Sequence, residues 1–394
     1  MQITQPANRT QLHQFLTLLA AGCLTTMTGG VVSPVLPEMV QHLQLDPKWA
    51  GMLVSTHALT SALATPLMGI VADRIGKLKV MLPCLVLYAI FGTSTAFLTD
   101  FSALLLSRGL LGIASGGVAA ATIGLLASLY EGETRARILG YATSAMSMAA
   151  IAFPLLGGWV GSSNWQYAFY LYGLGFPLAL IMATQFKDKS SASSSESVIG
   201  GDTRMLFQVI RKPSILRLYL FIAIAATIVY SVVIYTPLYL KDAIGAGPEL
   251  NGFVLAIRLV GASIVSAFGA SRIGKWLGVR RAIALGFALM AISLVTIPFL
   301  SQLPLIVAAA VLFGIGFGIM TPNLYDTLAS YSPPELRASV LAIGTGFNSL
   351  GQFSSPIFLG PIWNYAGLPM VFYTTAGIAI AAGALSLVSK KPKA

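Results

Sequence analysis

Charge is scarce in this chain. Of its 394 residues only 9% are Asp, Glu, Lys or Arg, against 56% hydrophobic, and the mean hydropathy is +0.80. Soluble domains carry about 25% charged residues, so this composition excludes a surface that faces water all round. Cysteine and histidine are also rare, with two Cys and three His. Cys23 and Cys84 both fall in apolar runs, which excludes a disulfide framework and leaves no ligand cluster for a metal. They read as small core side chains. No nucleophile–base set is apparent and no nucleotide-binding domain is found, so neither an enzyme nor an ATP-driven pump is expected, and no cofactor or metal.

What is present is a series of long apolar runs. Twelve are expected, at 14–37, 50–71, 80–98, 102–129, 138–161, 166–186, 215–240, 251–270, 282–300, 305–331, 338–362 and 369–388. Each is long enough to cross about 30 Å of hydrocarbon. No water is there to satisfy backbone polar groups, so such runs must be helices. The first contains Pro34 and Pro37 and lacks a small-x-small cleavage site, so a removable leader is not expected.

The net charge of +11 would suit nucleic acid, but its distribution does not. Twenty of the 24 Lys and Arg lie in segments on one side of the spans, against Lys48 and Lys241 on the other; Arg108 and Arg258 lie within spans. Such a bias records orientation, with the basic side and both termini cytoplasmic. The chain is therefore expected in a prokaryotic plasma membrane, as a monomer, with the bilayer and no nucleic acid as partner.

Residues 187–213 interrupt the pattern with Ser190-Ser-Ala-Ser-Ser-Ser-Glu-Ser197 and Gly200-Gly201, a flexible linker composition. They separate an N-terminal half, 1–186, from a C-terminal half, 214–394, with six spans each. The halves repeat internally. At one offset of 202, Gly112 and Gly116 meet Gly314 and Gly318, Ala127-Ser128 meets Ala329-Ser330, Glu133-Thr-Arg135-Ala136 meets Glu335-Leu-Arg337-Ala338, and Pro154 and Gly158 meet Pro356 and Gly360. A short basic loop also recurs. Gly69-Ile-Val-Ala-Asp73-Arg74-Ile-Gly76-Lys77 in the first half is echoed by Ala267-Phe-Gly-Ala-Ser271-Arg272-Ile-Gly274-Lys275 in the second. The second copy is also reminiscent of a phosphate-binding loop, but Trp276 stands where that motif needs Ser or Thr.

The first of these loops resembles the signature between helices 2 and 3 of the major facilitator superfamily, G-x-x-x-D-R-x-G-R/K, and matches it at every defined position. The resemblance covers nearly the whole chain. It implies an all-α membrane fold of twelve helices in two pseudo-symmetric six-helix bundles, with a substrate site near the bilayer midplane between them. It also implies a conformational latch of Gly69, Asp73, Arg74, Gly76 and Lys77. Asp73 would accept from the start of helix 11 near Arg337-Ala338, and Arg74 and Lys77 would pair with Glu131 or Glu133. Ser271 would leave the second copy weaker. Within span 5, Gly140-x8-Ala149-x3-Phe153-Pro154-x2-Gly157-Gly158 is similar to the helix-5 signature of drug–proton antiporters, with Ala149 and Phe153 in place of its two middle glycines. The stretch around Arg108 resembles the family's helix-4 motif, whose arginine is linked to proton coupling.

Other candidates come from cost and depth. A charge inside a span costs several kcal/mol unless paired or hydrated. His57, Arg108 and Arg258 all lie roughly 10 Å in from the cation-poor ends of their helices. Counted from Gly51 and Gly252, His57 and Arg258 are equivalent; counted from the loops, Arg258 meets Thr60. His57 is able to titrate near neutral pH. Asp326 is the one acid deep in a span and is expected to be a buried proton carrier, unless it pairs with an arginine or the span ends early. Glu38 caps span 1 at the cation-poor mouth. Tyr219, Tyr230, Tyr235, Tyr239, Asn323, Tyr325, Asn348 and Gln352 offer aromatic and amide lining for an organic substrate.

The expectation is secondary transport by alternating access: proton-coupled efflux of an amphipathic or anionic small molecule, multidrug in character. Proton coupling would involve Asp326, Arg108 and His57, and the proton gradient would be the energy source. Uptake of a small organic anion with protons, or transport of a lipid or lysolipid, are the alternatives on the same fold.

Overall fold

The computed structural model describes residues 9–130, 132–186 and 203–388; within them the regular structure is helical, with no strand. Eleven helical stretches among these residues are long and apolar enough to cross a membrane. Ten are single crossings: α1 Leu12–His42, α2 Pro47–Ile75, α3 Lys77–Phe97, α4 Phe101–Leu129, α5 Gly132–Gly161, α6 Trp165–Gln185, α7 Pro213–Ile244, α8 Pro248–Phe268, α9 Val279–Phe299 and α10 Leu303–Ser330. The last, Pro334–Val388, has 55 residues. At 1.5 Å per residue it is far too long for one crossing. Gly367 divides it, with φ 80° and ψ 170°, a backbone open to glycine and little else. The parts are α11, 337–366, and α12, 368–388, so the chain crosses twelve times. The linker expected at 187–213 lies largely outside the described residues; its end forms a short helix, Thr203–Ile210.

Local sequence accounts for the boundaries. Asp100 caps α4 by accepting from the Ala103 amide at 2.9 Å. Pro213 and Pro248 open α7 and α8, where a missing N–H costs nothing. α1 is broken at Val31 into Arg9–Gly30 and Val32–His42. Pro34, three residues on, has no N–H to donate to the Gly30 carbonyl.

The two halves pack alike. In the first, Gly112 and Gly116 bring α4 against the backbone of α2 at His57 and Ser61; in the second, Gly314 and Gly318 bring α10 against α8 at Arg258 and Ala262. Hydrogen in place of a side chain is what allows this approach. His57 and Arg258 are therefore equivalent positions, which decides between the two ways of counting. The basic loops behave differently from their sequence match. Gly76, with φ 108°, directly precedes α3, and its backbone counterpart is Gly278, with φ 82°, directly before α9. Gly274 instead lies inside a short helix, Ala270–Leu277. The offset of 202 therefore runs through this loop as well, and the match of Gly274 to Gly76 is corrected.

The halves touch at their cation-poor ends through a symmetric pair of contacts. A Cβ on Gly158 of α5 would overlap the Pro248 carbonyl of α8, and one on Gly252 would overlap the Pro154 carbonyl. In the mate of this contact, a Cβ on Gly360 of α11 would overlap the Lys48 carbonyl, and one on Gly51 would fall 2.8 Å from Pro356. Between them, the Ser33 hydroxyl of α1 donates to the Val233 carbonyl of α7, and Asn251 Nδ2 donates to the Pro34 carbonyl at 3.3 Å. Lys241 of α7 pairs with Glu38 of α1 at 3.1 Å. At the basic ends, Asp73, Arg74, Arg337 and Ala338 are exposed, and Gly69, Gly140 and Gly346 have open space where a Cβ would stand. The bundles thus meet at the cation-poor face and part toward the basic one.

Candidate functional site: the cleft between the bundles

The apex of the cleft forms where α1, α2 and α7 converge. Gly29 has no side chain, and the space a Cβ would fill is bounded by the His57 ring at 3.1 Å and the Tyr230 hydroxyl at 3.3 Å. His57 is buried and its Nδ1 has no hydrogen-bond partner. Arg258 is buried beside this apex, near Tyr230. Its guanidinium stands 5.8 Å from the Phe313 ring centroid, and its Nε lacks a partner. A void of about 20 Å³ adjoins it, enough for one water. Farther down the C-terminal wall, Gln352 Nε2 donates to Asn348 Oδ1 at 2.6 Å, both side chains being half-buried. Tyr325 is half-buried, beside Thr345.

Other expected site residues face elsewhere. Arg108 is 1% exposed and points into the N-terminal bundle. It donates to Thr95 Oγ1 at 2.7 Å and Tyr172 Oη at 3.2 Å, over the Phe169 and Tyr172 rings at 5.0 and 5.3 Å. Charge-assisted bonds of about 1.5–3 kcal/mol each and a desolvated cation–π contact of about 2 roughly offset the several kcal/mol of burial. No carboxylate takes part in these contacts. Tyr172 in turn donates to the Thr28 carbonyl of α1 at 2.9 Å, so Arg108 helps to seat α6 on α1. Both acceptors keep other partners when the guanidinium is removed, since Thr95 Oγ1 also bonds Phe91 and Ser107. Arg108→Met is therefore expected to melt within a few degrees of the unmodified protein. Arg108→Ala, which leaves a void, should lose about 3 kcal/mol. Thermal unfolding of the purified variants measures both.

Asn323 is buried but does not face the cleft. Its Nδ2 donates to the carbonyls of Ile319 at 2.7 Å and Ala270 at 3.2 Å, and a Cβ on Gly274 would overlap its Oδ1. It holds the loop between α8 and α9. Tyr235 packs edge-on against Trp363 with centroids 5.9 Å apart, Tyr219 stacks on Phe347 at 4.8 Å, and Tyr239 donates to Pro298 at 2.8 Å. Asp326 is exposed and lines a separate cavity at the basic end of the C-terminal bundle, beside Arg217, Arg280 and Arg281. The expectation of a buried acid there is corrected. Position along a helix measures depth, but the side chain leaves the helix toward that open cavity. Glu38, also a candidate, joins the halves through Lys241.

The latch residues are apart. Asp73 and Arg74 are exposed, the half-buried Lys77 runs along Gly124, and Glu133 pairs with Arg137 of its own helix at 3.7 Å. Glu131 lies outside the described residues. Of the helix-5 signature, Pro154, Gly157 and Gly158 carry the close contacts with α1 and α8, while Gly140 faces open space.

Two pseudo-symmetric helical bundles closed at one face and open at the other, with small-residue contacts and polar groups at the apex, define a membrane transporter for small molecules. The chain belongs to the Major Facilitator Superfamily, whose family model matches residues 18–277 and 218–394. It is similar to the quinolone resistance protein NorA of Staphylococcus aureus, 24% identical over 93% of each chain. It is also similar to the multidrug transporter protein MdtP of Bacillus subtilis, 23% identical over 88% of this chain and 74% of that one. Among solved structures, a bacterial homolog of the human lysosomal transporter Spinster, inward-facing and occupied, superposes with TM-score 0.80 at 16% identity over 97% of both chains. The nucleoside transporter NupG superposes with TM-score 0.79 at 14% identity, over 95% of this chain and 98% of that one. The protein is thus an integral bacterial membrane transporter and not an enzyme.

Proposed function

We propose that the protein exports an amphipathic or anionic organic molecule from the cytoplasm in exchange for protons. The observation that carries this is the apex of the cleft, where the unpartnered His57 Nδ1 and Arg258 Nε lie near Tyr230, with no acid among these three residues. Such a site suits a flat organic molecule bearing a negative or hydrogen-bond-accepting group. The basic face is cytoplasmic by the charge bias, so the cleft opens inward. The resistance and multidrug relatives support export as the direction. Asp73 and its loop latch the basic side in the opposite state. Glu38 takes the coupling role first given to Asp326, since its carboxylate alternates between an ion pair across the halves and access to the outside.

Reconstituted into liposomes with the basic face on the lumen side and an acidic exterior, the protein is expected to extrude a fluorescent amphipathic anion several-fold faster than without the gradient. Undiminished extrusion after the gradient is collapsed contradicts coupling. Substrate and protons moving in the same direction would favour uptake of an anion instead, which the buried Arg258 also suits.

A further inference from the structure

The cavity that Asp326 borders is not part of the cleft. It has a volume of about 440 Å³ and lies at the basic end of the C-terminal bundle, between α7, α9, α10 and α12. Among the described residues, Arg217, Arg280 and Arg281 line it together with the carboxylate of Asp326 and the apolar Leu218, Phe221 and Ile283. The first amides of α9, at Val279 and after, open beside it, and Gly278 supplies no side-chain cap for them. The positive-inside bias explains arginines at this face. It does not explain why three of them gather around one concave, apolar-floored space.

The matching place in the N-terminal half is lined differently. There the Lys77 chain lies over Gly124, whose Cβ would stand 3.2 Å from it. Phe15 and Tyr130 meet edge to face at 6.4 Å, and Gln185 is tied to Gln14 and Thr17 at 2.9 Å each. At the offset of 202, Phe15 becomes Arg217, Gly124 becomes Asp326 and Lys77 becomes Val279. At the same offset Leu78 becomes Arg280 and Lys79 becomes Arg281, so two of the three arginines stand where the first half has an aromatic or aliphatic side chain.

We propose that this cavity binds an organic phosphate: a phosphate ester set among Arg217, Arg280 and Arg281, with adjoining carbon on the apolar floor. Guanidinium groups match phosphate oxygens in pairs. The volume accommodates a headgroup with a short apolar segment. The ester is either the headgroup of an anionic phospholipid or a soluble organic phosphate. Neither source depends on which substrate is transported or in which direction.

The test is thermal unfolding of the full-length protein in neutral detergent, with added phosphatidylglycerol, phosphatidylcholine or glycerol 3-phosphate. Phosphatidylglycerol is expected to raise the midpoint by about 3 °C or more, and phosphatidylcholine by much less. The double variant Arg280→Gln/Arg281→Gln should unfold at the same temperature as the unmodified protein without additive, and should lose most of the shift. Arg272→Gln/Lys275→Gln removes the same charge from the same face outside the cavity and should keep it. A shift with glycerol 3-phosphate alone identifies a soluble phosphate as sufficient. If neither phosphate shifts the midpoint, or if both double variants lose the shift equally, the proposal is overturned. Should the Arg280 and Arg281 variant prove unstable, the comparison moves to Ile283→Trp, which fills the floor and should abolish the shift without altering charge.

Discussion

Gly252→Ala is expected to slow transport about tenfold, although it adds one methyl group in a membrane helix. That methyl would overlap the Pro154 carbonyl oxygen of the opposite half. A backbone oxygen in α5 has no rotamer with which to move aside, so α5 and α8 must separate. Overpacking of this kind costs about 1–3 kcal/mol, and every 1.4 kcal/mol shifts an equilibrium tenfold. The cost falls only on the state closed at the cation-poor face, so the population moves toward the opposite state. Hydrogen exchange should therefore quicken at 29–36 and 248–258, which form this seam. Gly158→Ala, which would overlap the Pro248 carbonyl, should behave likewise. The double variant should cost less than the sum, because one separation relieves both overlaps. Gly346→Ala, with open space around its Cβ, is the matched control. Transport and exchange at Gly252→Ala equal to those of Gly346→Ala would mean that the seam does not close during the cycle.

Much of this arrangement was legible from residue order alone. Apolar runs determine the crossings because hydrocarbon tolerates few alternatives. The repeat at offset 202 already held the symmetric seams, since Gly158 and Gly360, Pro154 and Pro356 are its members. The spacing from Gly51 and Gly252 correctly paired His57 with Arg258. What could not be read was direction around each helix. Arg108 and His57 lie at similar depth, yet one turns into its bundle and the other to the apex. Asn323 and Asn348 are both amides on cleft-forming helices, but the first is consumed by the carbonyls of Ile319 and Ala270. The loop register failed for a related reason. Arg-x-Gly-Lys recurs as letters, whereas the backbone repeats at the glycine that must take positive φ, and that is Gly278. Contacts across the halves, such as Glu38 with Lys241, join residues 203 apart and have no local signal.

That ion pair carries the last large effect: Glu38→Gln is expected to uncouple transport from protons. The Glu38 side chain is 13% exposed and that of Lys241 28%, so their 3.1 Å contact is screened only in part. The second carboxylate oxygen, Oε2, is buried without a hydrogen bond. Paired with Lys241, Glu38 ties α1 to α7 and favours closure of the cation-poor face. A proton arriving from that face removes the attraction and frees the halves to part. For a pair this exposed the tie is worth about 1–2 kcal/mol, enough to change the closed population by roughly tenfold. His42 lines the same vestibule. In Glu38→Gln the neutral amide mimics the protonated acid at every pH. Gradient-driven export should fall about tenfold and lose its pH dependence, while exchange of labelled for unlabelled substrate without a gradient should survive. Exchanging the charges, Glu38→Lys with Lys241→Glu, should restore closure measured by hydrogen exchange at 29–36, whereas either single change should not. Full gradient-driven export by Glu38→Gln would move the coupling proton to His57 or to another group, and the ion pair would then serve closure alone.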